Sequence, residues 1–145
     1  MPRRAVGGLW LSRALAAGKH VVVDKPFTVT THEARRLQAQ AQAAGRVLSV
    51  FHNRRWDTDF LTIKQVLASG ELGRIVHFES HFDRYRPEVR ARWREQALPG
   101  SGLWYDLGSH LLDQTLQLFG LPESIALDLA LQRDTAQSDD YRHAL

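Results

Sequence analysis

His20-Val21-Val22-Val23-Asp24-Lys25-Pro26, residues 20–26, is the stretch that decides the fold. A short run of valines is typical of a strand buried on both faces of a parallel sheet, and the Lys-Pro pair ends it. Residues 47–51, Val-Leu-Ser-Val-Phe, have the same character. Two such strands separated by one helix predict a parallel α/β unit with a right-handed crossover.

Capping residues indicate where the helices around these strands begin and end. Residues 9–17 are predicted to be the end of a helix that Gly18 stops, because glycine accepts a left-handed cap. Thr30 and Glu33 form a capping-box pattern that opens the next helix, and Gly45 ends it. The side chains expected on the buried face of this helix are Ala34, Leu37, Ala41 and Ala44.

The pattern changes near Asn53. The elements predicted beyond it are a helix over 59–69 closed by Gly70 and Gly73, a strand over 75–85, a helix over 104–119 and a strand over 125–131. The strand over 75–85 alternates for its whole length, which is typical of an antiparallel sheet. We therefore predict an α/β chain (α+β overall) with a parallel part at 1–53 and an α+β part at 54–145, whose sheet is mostly antiparallel.

Both ends of the chain are predicted to be cut. A parallel sheet of two strands cannot bury its own faces, so the first strand implies partners outside this chain. At the other end, Asp139-Asp140-Tyr141 follows a single strand and stops. We expect a fragment truncated at both ends.

Composition narrows the class of protein. The chain has 145 residues and no cysteine, which excludes disulfides, thiolate catalysis and cysteine-ligated zinc. It has no apolar run of about 18 residues, and Met1-Pro2-Arg3-Arg4 does not open a secretory signal. The net charge is +3, a surplus too modest to indicate nucleic-acid binding despite the arginines between Arg84 and Arg94. We expect a soluble, cytoplasmic protein with neither a membrane nor a nucleic acid as partner.

Lys25 lies where a predicted buried strand ends, which is where ligands collect in open α/β sheets. Pro26 removes a backbone donor and fixes φ, so the lysine stands on a rigid turn whose X-Pro bond is a candidate for the cis form. The ammonium can donate to a substrate hydroxyl or stabilise a developing alkoxide. The alternative is a surface lysine paired with Asp24, and the dipeptide alone favours it.

The segment Trp104–Asp113 holds a second group of polar residues. On a helix, Asp106, His110 and Asp113 share one face. A carboxylate beside an imidazole orients a general base and stabilises its protonated form, and Gly108 lets a flat ligand approach the backbone. The solvent-exposed face of an amphipathic helix explains the spacing equally well. A glycine inside a helix costs about 1 kcal/mol relative to alanine, which favours function.

The predicted strand over 75–85 offers a rival site. His77, Glu79, His81 and Asp83 alternate along it and so face one side. Two imidazoles and two carboxylates can ligate a divalent metal, but such a face is more often solvated or meets another subunit's sheet. We therefore predict no metal.

Three segments in order carry a family resemblance: Ala16-Ala-Gly-Lys-His-Val-Val-Val-Asp-Lys-Pro26, Phe51-His-Asn-Arg-Arg-Trp56, and Trp104-Tyr-Asp-Leu-Gly-Ser-His110 with Asp113. Together they resemble the glucose–fructose oxidoreductase, inositol dehydrogenase and MocA (Gfo/Idh/MocA) family, over a stretch from about Leu11 to near Leu145. The resemblance implies that 1–53 is the C-terminal part of a Rossmann-type dinucleotide-binding domain. It also implies that 54–145 is part of a substrate-binding and oligomerisation domain.

The resemblance further implies hydride exchange between NAD or NADP and a hydroxyl-bearing carbon, usually of a sugar, cyclitol or related polyol. Lys25 matches the family's catalytic lysine, in Asp24-Lys25-Pro26 where the family has Glu-Lys-Pro. His110 would be the acid/base, with Asp106 orienting it and binding substrate. The implied substrate side consists of Asn53, Arg54, Arg84, Arg86 and Asp113. The implied cofactor contacts are Asp24, Lys25, Pro26 and Gly108.

The chain also departs from the family pattern. The Gly-rich phosphate turn is absent, and Gly100-Ser101-Gly102 is no substitute because it follows a loop. Residues 1–8 lack the Thr-Pro-Asn-type turn expected before the first helix. We expect this chain alone to bind neither NAD nor NADP measurably. The implied partners are a small-molecule substrate and a second copy of the chain, joined through the antiparallel sheet. The alternative is a catalytically dead remnant that acts as a sheet-mediated interaction module through 75–85.

Overall fold

The computed structural model describes residues 7–145, so the basic start at Met1–Arg4 and most of the atypical segment 1–8 lie outside the described residues. Its helices are α1 (Gly7–Ala16), α2 (Thr31–Ala43), α3 (Thr58–Ser69) and α4 (Ser109–Phe119), and its strands are β1 (Val21–Asp24), β2 (Leu48–Phe51), β3 (Leu127–Ala130) and β4 (Tyr141–Ala144). Short 3₁₀ turns lie at Asn53–Trp56 and Trp93–Glu95, and a π-helical turn lies at Trp104–Gly108. None of the helices in this described range has the length and apolar character needed to cross a membrane.

The predicted parallel unit is confirmed. β1 and β2 pair in parallel, with Val21 opposite Leu48 and Asp24 opposite Phe51, and α2 connects them. The carboxyl ends of both strands therefore lie at one edge of the sheet. Lys25 follows β1 at that edge, and its bond to Pro26 is cis.

The core of this unit lies on one face of the sheet. Leu15 of α1, Val21 of β1, and Leu37 and Ala41 of α2 form a single buried cluster, so both helices cover the same face. Val22 points to the other face and is 72% exposed. The prediction of a strand buried on both faces is therefore wrong for this chain, because the described residues cover only one of them.

Local signals set the limits of the helices. The Thr30 hydroxyl oxygen accepts a hydrogen bond from the backbone N–H of Glu33 at 3.2 Å, which confirms the predicted start of α2. Leu37 and Ala41 are buried as predicted, while Ala34 and Ala44 are only half-buried. α3 ends at Gly70, whose φ of 74° requires a left-handed conformation that glycine adopts without strain.

The antiparallel part differs from the prediction. Residues 75–85 form no strand within the described range, because a strand needs a backbone partner and β3 and β4 pair with each other. Leu127 lies opposite Ala144 in this antiparallel pair. β4 was not predicted, since Tyr141-Arg142-His143-Ala144 lacks an apolar alternation.

An ion-pair network holds the Arg-rich loop, residues 84–95, against the hairpin formed by β3 and β4. Arg133 donates to Glu95 at 3.0 Å and to Asp140 at 2.7 Å, and the exposed fractions of these carboxylate side chains are 8% and 5%. Burial raises the pKa of Glu95, but hydrogen bonds from the Arg90 backbone and the Arg92 side chain, together with the Arg133 charge, hold it below its ordinary value. The loop that approaches the candidate site is thereby fixed in place.

Candidate active site

Lys25 and Asp106 meet across 81 residues of sequence. The lysine Nζ donates to the Asp106 carbonyl oxygen and lies 3.2 Å from its carboxylate Oδ1. The Lys25 side chain is only 11% exposed. Asp24 accepts instead from the Lys25 backbone N–H, at 2.9 Å. The alternative of a surface lysine paired with the Asp24 side chain is therefore wrong.

The pairing changes the proton affinity of both groups. Burial lowers the pKa of Lys25, the Asp106 carboxylate works against it, and the Arg94 charge lowers it further. Burial raises the pKa of Asp106, but the charges of Lys25 and Arg94 outweigh burial and hold it below its ordinary value. Asp106 is thus ionised at neutral pH, and Lys25 gives up its proton more easily than a free lysine.

His110 lies one helical turn beyond Asp106 and is only 5% exposed. Its Nδ1 is buried and has no hydrogen-bond partner within residues 7–145. Burial, followed by the positive charges of Lys25 and Arg54, lowers the pKa of the imidazole to about 4. The ring is therefore neutral at physiological pH and can accept a proton, which contradicts the alternative of a solvent-exposed helix face.

Asp113 is held by the 3₁₀ turn that follows β2. Arg55 donates to both of its carboxylate oxygens, at 2.7 and 2.5 Å. His52 Nδ1 lies 3.9 Å from the same carboxylate, at the sheet edge that also carries Lys25. Arg54 pairs with Asp57 at 2.8 Å, and its charge reaches His110. Because Arg55 already occupies Asp113, a substrate contact there stays a prediction.

Three residues assigned to the substrate side are not brought to this cluster. Asn53 and Arg84 are exposed, and Arg86 is half-buried with its carbonyl accepting from Arg133 at 3.4 Å. No contact in the described part of the chain joins any of them to the lysine, carboxylate or imidazole above. Their roles stay predictions.

Gly108 has a different explanation from the predicted one. A Cβ at this position would lie 2.8 Å from Cε3 of Trp104, so the glycine is required by the indole that packs on it. The space expected for a flat ligand is occupied by that ring. Cofactor contact at Gly108 therefore stays a prediction without its original reason.

Sequence reasoning did not single out Arg94 or His52 as site residues. Arg94 Nε lies 3.1 Å from Asp106 Oδ1, the same oxygen that Lys25 approaches. It is one of five arginines in a loop without periodic structure, so no spacing distinguished it from its neighbours. His52 stands in the quoted segment 51–56, and its position directly after a buried strand was the available signal.

The cluster partly fits a dinucleotide. Asp24, Lys25 and Pro26 lie at the carboxyl edge of the parallel strands, where such ligands bind, and the Nδ1 of buried His110 is left without a hydrogen-bond partner in the described residues. A Gly-rich strand–turn–helix for the pyrophosphate is not found within 7–145. In the same range, no group of three or more histidines and carboxylates is arranged to hold a metal ion.

The carboxyl edge of the parallel strands presents a lysine to a carboxylate and an imidazole on a later helix, and this edge is where Rossmann-type folds bind their ligands. Comparison with family models gives the particular family. Residues 6–52 match the oxidoreductase family with an NAD-binding Rossmann fold, and residues 60–145 match the GFO/IDH/MocA C-terminal domain. The chain belongs to the Gfo/Idh/MocA family, as the sequence motifs predicted.

Individual relatives are considerably longer. The uncharacterised oxidoreductase YdgJ of Escherichia coli K12 is 68% identical over 132 residues, covering 91% of this chain and 38% of YdgJ. The scyllo-inositol 2-dehydrogenase (NADP⁺) IolW of Bacillus subtilis is 50% identical over 129 residues, covering 89% and 36%. The structure of the YPO2259 putative oxidoreductase from Yersinia pestis superposes with a TM-score of 0.89 at 64% identity, covering 96% of this chain and 39% of that one. The chain thus spans less than two fifths of the length of each.

Proposed function

We propose that this chain carries the catalytic lysine, carboxylate and imidazole of an NAD- or NADP-dependent oxidoreductase. The substrate is a sugar, cyclitol or related polyol that is oxidised at a hydroxyl-bearing carbon. The observation that carries the proposal is the Lys25–Asp106 contact, because it brings the edge of β1 to the helix that bears His110. The name of IolW, a scyllo-inositol dehydrogenase that uses NADP⁺, supports both the substrate class and the cofactor.

Each residue has a separate task in the reaction. Lys25 directs two of its N–H groups to Asp106 and has a third for the oxygen of the reacting hydroxyl. The neutral imidazole of His110 takes the proton of that hydroxyl, and the ammonium stabilises the developing alkoxide. Asp24 and Pro26 would hold NAD or NADP at this sheet edge, and the bound cofactor would supply the hydride acceptor for the carbon.

The remaining assignments complete the proposal. Residues 1–53 form the C-terminal part of the dinucleotide-binding domain, and 54–145 form part of the substrate domain. The partners are the polyol and a second copy of the chain that docks through the antiparallel sheet, in the cytoplasm. The interaction-module alternative depended on a strand at 75–85, which the described structure does not contain.

The test uses a chimera in which the relative IolW supplies the parts of the enzyme that this chain does not span. The segment of IolW that matches this chain is replaced by residues of this chain, and NADPH formation from scyllo-inositol is followed by absorbance. The chimera is expected to oxidise the polyol. Lys25→Met and His110→Gln in the chimera are each expected to lower kcat by about 10²–10⁴-fold, since each removes a proton-transfer or charge-stabilising group.

Lys64→Met provides the matched control, because Lys64 lies on the exposed side of α3, over the Phe60 ring. It is expected to turn over at the rate of the unmodified chimera. A folded chimera that oxidises no polyol would contradict the proposed function. Equal rates for the Lys25, His110 and Lys64 variants would contradict the residue assignment.

A further inference from the structure

Arg94 and Lys25 share one oxygen of Asp106. Arg94 Nε lies 3.1 Å and Lys25 Nζ 3.2 Å from Oδ1 of this carboxylate. The Arg94 approach is an ion pair without the alignment of a hydrogen bond. The guanidinium is held in this place by the Trp93 ring, whose centroid is 4.7 Å from Cζ, and its side chain is 39% exposed.

The two cations leave the trio with a net positive charge. A single ammonium–carboxylate pair in a half-buried site is neutral, and its mutual attraction strengthens the hold of the lysine on its proton. A second cation on the same oxygen competes with the lysine for the carboxylate. It also repels the lysine charge, which agrees with the direction in which Arg94 moves the pKa of Lys25. The lysine is then less firmly bound to Asp106 and better able to serve a substrate oxygen.

No other charged group near Asp106 takes the place of Arg94 in its effect on Lys25. The charged and titratable groups that face Asp106 are Lys25, Arg92, Arg94, Arg142 and His110. Arg92 forms an ion pair with Glu95 at 2.8 Å, and Arg142 donates to the Leu103 carbonyl at 3.4 Å. His110 is neutral above a pKa of about 4. Among the described residues, only Lys25 and Arg94 form ion pairs with Asp106.

We infer that Arg94 is a positioning residue of this site, which fixes the Asp106 carboxylate and keeps the Lys25 ammonium available to the substrate alkoxide. The inference rests on the proposed function for its role in catalysis. The coupling between Arg94, Asp106 and Lys25 is a property of the chain itself and needs no turnover to be measured.

The test follows the titration of Asp106, Lys25 and His110 by NMR in the isotope-labelled chain. Arg94→Gln is expected to raise the midpoints of both Asp106 and Lys25 by about one pH unit, because a nearby positive charge lowers both. The midpoint of His110 should move less than either, since the largest influences on it are burial and the charges of Lys25, Arg54 and His52. Arg94→Lys keeps the charge and should restore at least half of the change at both groups.

The control is Arg90→Gln, which removes an exposed guanidinium from the same loop and should move none of the three midpoints. Unchanged Asp106 and Lys25 midpoints in Arg94→Gln would overturn the inference. Equal shifts in Arg90→Gln would also overturn it, because they would indicate the diffuse field of the arginine loop. A rise at His110 as large as those at Asp106 and Lys25 would do the same, because it would indicate a change of the whole site and not a specific coupling.

The catalytic role is tested separately in the IolW chimera. Arg94→Gln is expected to lower kcat about tenfold, the equivalent of about one pH unit at Lys25, with little change in KM, and Arg94→Lys should recover most of it. Shifted midpoints with full turnover would overturn the positioning role. A chimera that is inactive even with Arg94 present would instead contradict the proposed function, while the NMR test still decides the coupling.

Discussion

Replacing His110 by glutamine tests the electrostatics of the site through folding stability. Burial and the positive charges of Lys25 and Arg54 lower the pKa of this imidazole from 6.5 to about 4. The folded state therefore favours the neutral ring, whereas the unfolded chain titrates near 6.5. The stability contributed by the neutral imidazole is complete above pH 6.5 and is lost as the pH falls towards 4, because the unfolded state binds the proton first.

The expected magnitude follows from these two values. His110 has a pKa near 6.5 in the unfolded chain and about 4 in the folded one. Acidification from about pH 7.5 to about pH 4.5 therefore lowers the free energy of unfolding by about 2.5 kcal/mol through this group. Urea unfolding of the chain and of His110→Gln at both pH values gives the double difference, which removes the titration of all other groups. The unmodified chain should lose about 2.5 kcal/mol more than the variant.

His32→Gln is the matched control, because His32 is exposed on α2. It should lose as much stability on acidification as the unmodified chain does. Parallel losses in all three proteins would refute the reasoning, since they would mean that His110 charges as freely in the folded chain as in the unfolded one. The assignment of His110 as a neutral proton acceptor would fall with it.

Three further changes test the packing that supports the site. Gly108→Ala forces a Cβ against the Trp104 ring and should cost about 1–3 kcal/mol in urea unfolding, and much less when Trp104→Ala is also present. Arg133→Ala leaves buried Asp140 without the cation it pairs with and should cost about 3 kcal/mol, of which Asp140→Asn in the same chain should recover a part. Leu37→Ala empties a fully buried position and should lower the free energy of unfolding by about 2–5 kcal/mol.

Each of these has an outcome that would contradict it. An equal loss for Gly108→Ala with and without the indole would show that the contact is not the cause. No recovery from Asp140→Asn would show that an unpaired carboxylate is not what destabilises Arg133→Ala. A loss at Leu37 no larger than that of Leu72→Ala, where the leucine is 60% exposed, would contradict the position of the core.

The elements that could be predicted are those set by local chemistry. The hydroxyl of Thr30 can satisfy a free N–H only at the start of a helix, and Gly70 can adopt its positive φ at no cost, so both ends were visible in the sequence. The two apolar strands were visible as strands, but the sequence overstated their burial, since Val22 of β1 is 72% exposed. Lys25 directly after β1 and His110 on α4 lie where the motifs placed them, and their catalytic roles stay predictions.

What could not be predicted depends on which distant residues meet. β4 has no apolar pattern of its own and exists because its backbone pairs with β3. The segment 75–85 has the alternation of a strand but has no partner in the described range, so pattern and structure disagree there. Arg94 differs from its neighbouring arginines only in that the folded loop brings it to Asp106. Contacts of this kind are decided by tertiary packing and leave no spacing in the sequence.

The π-helical turn that carries Asp106 is fixed from two directions, and this explains why both parts of the chain are needed for the site. On the parallel side, the Tyr105 hydroxyl donates to the Val29 carbonyl at 3.1 Å, next to the contact that Lys25 makes. On the antiparallel side, Asp139 accepts from the backbone N–H of Trp104 at 2.6 Å through its carboxylate, which satisfies an N–H that the helix start leaves free. Asp139 lies two residues before the start of β4, which is a strand of the hairpin. The segment before the hairpin, which contains no reacting group, therefore helps to hold the carboxylate where it meets the lysine.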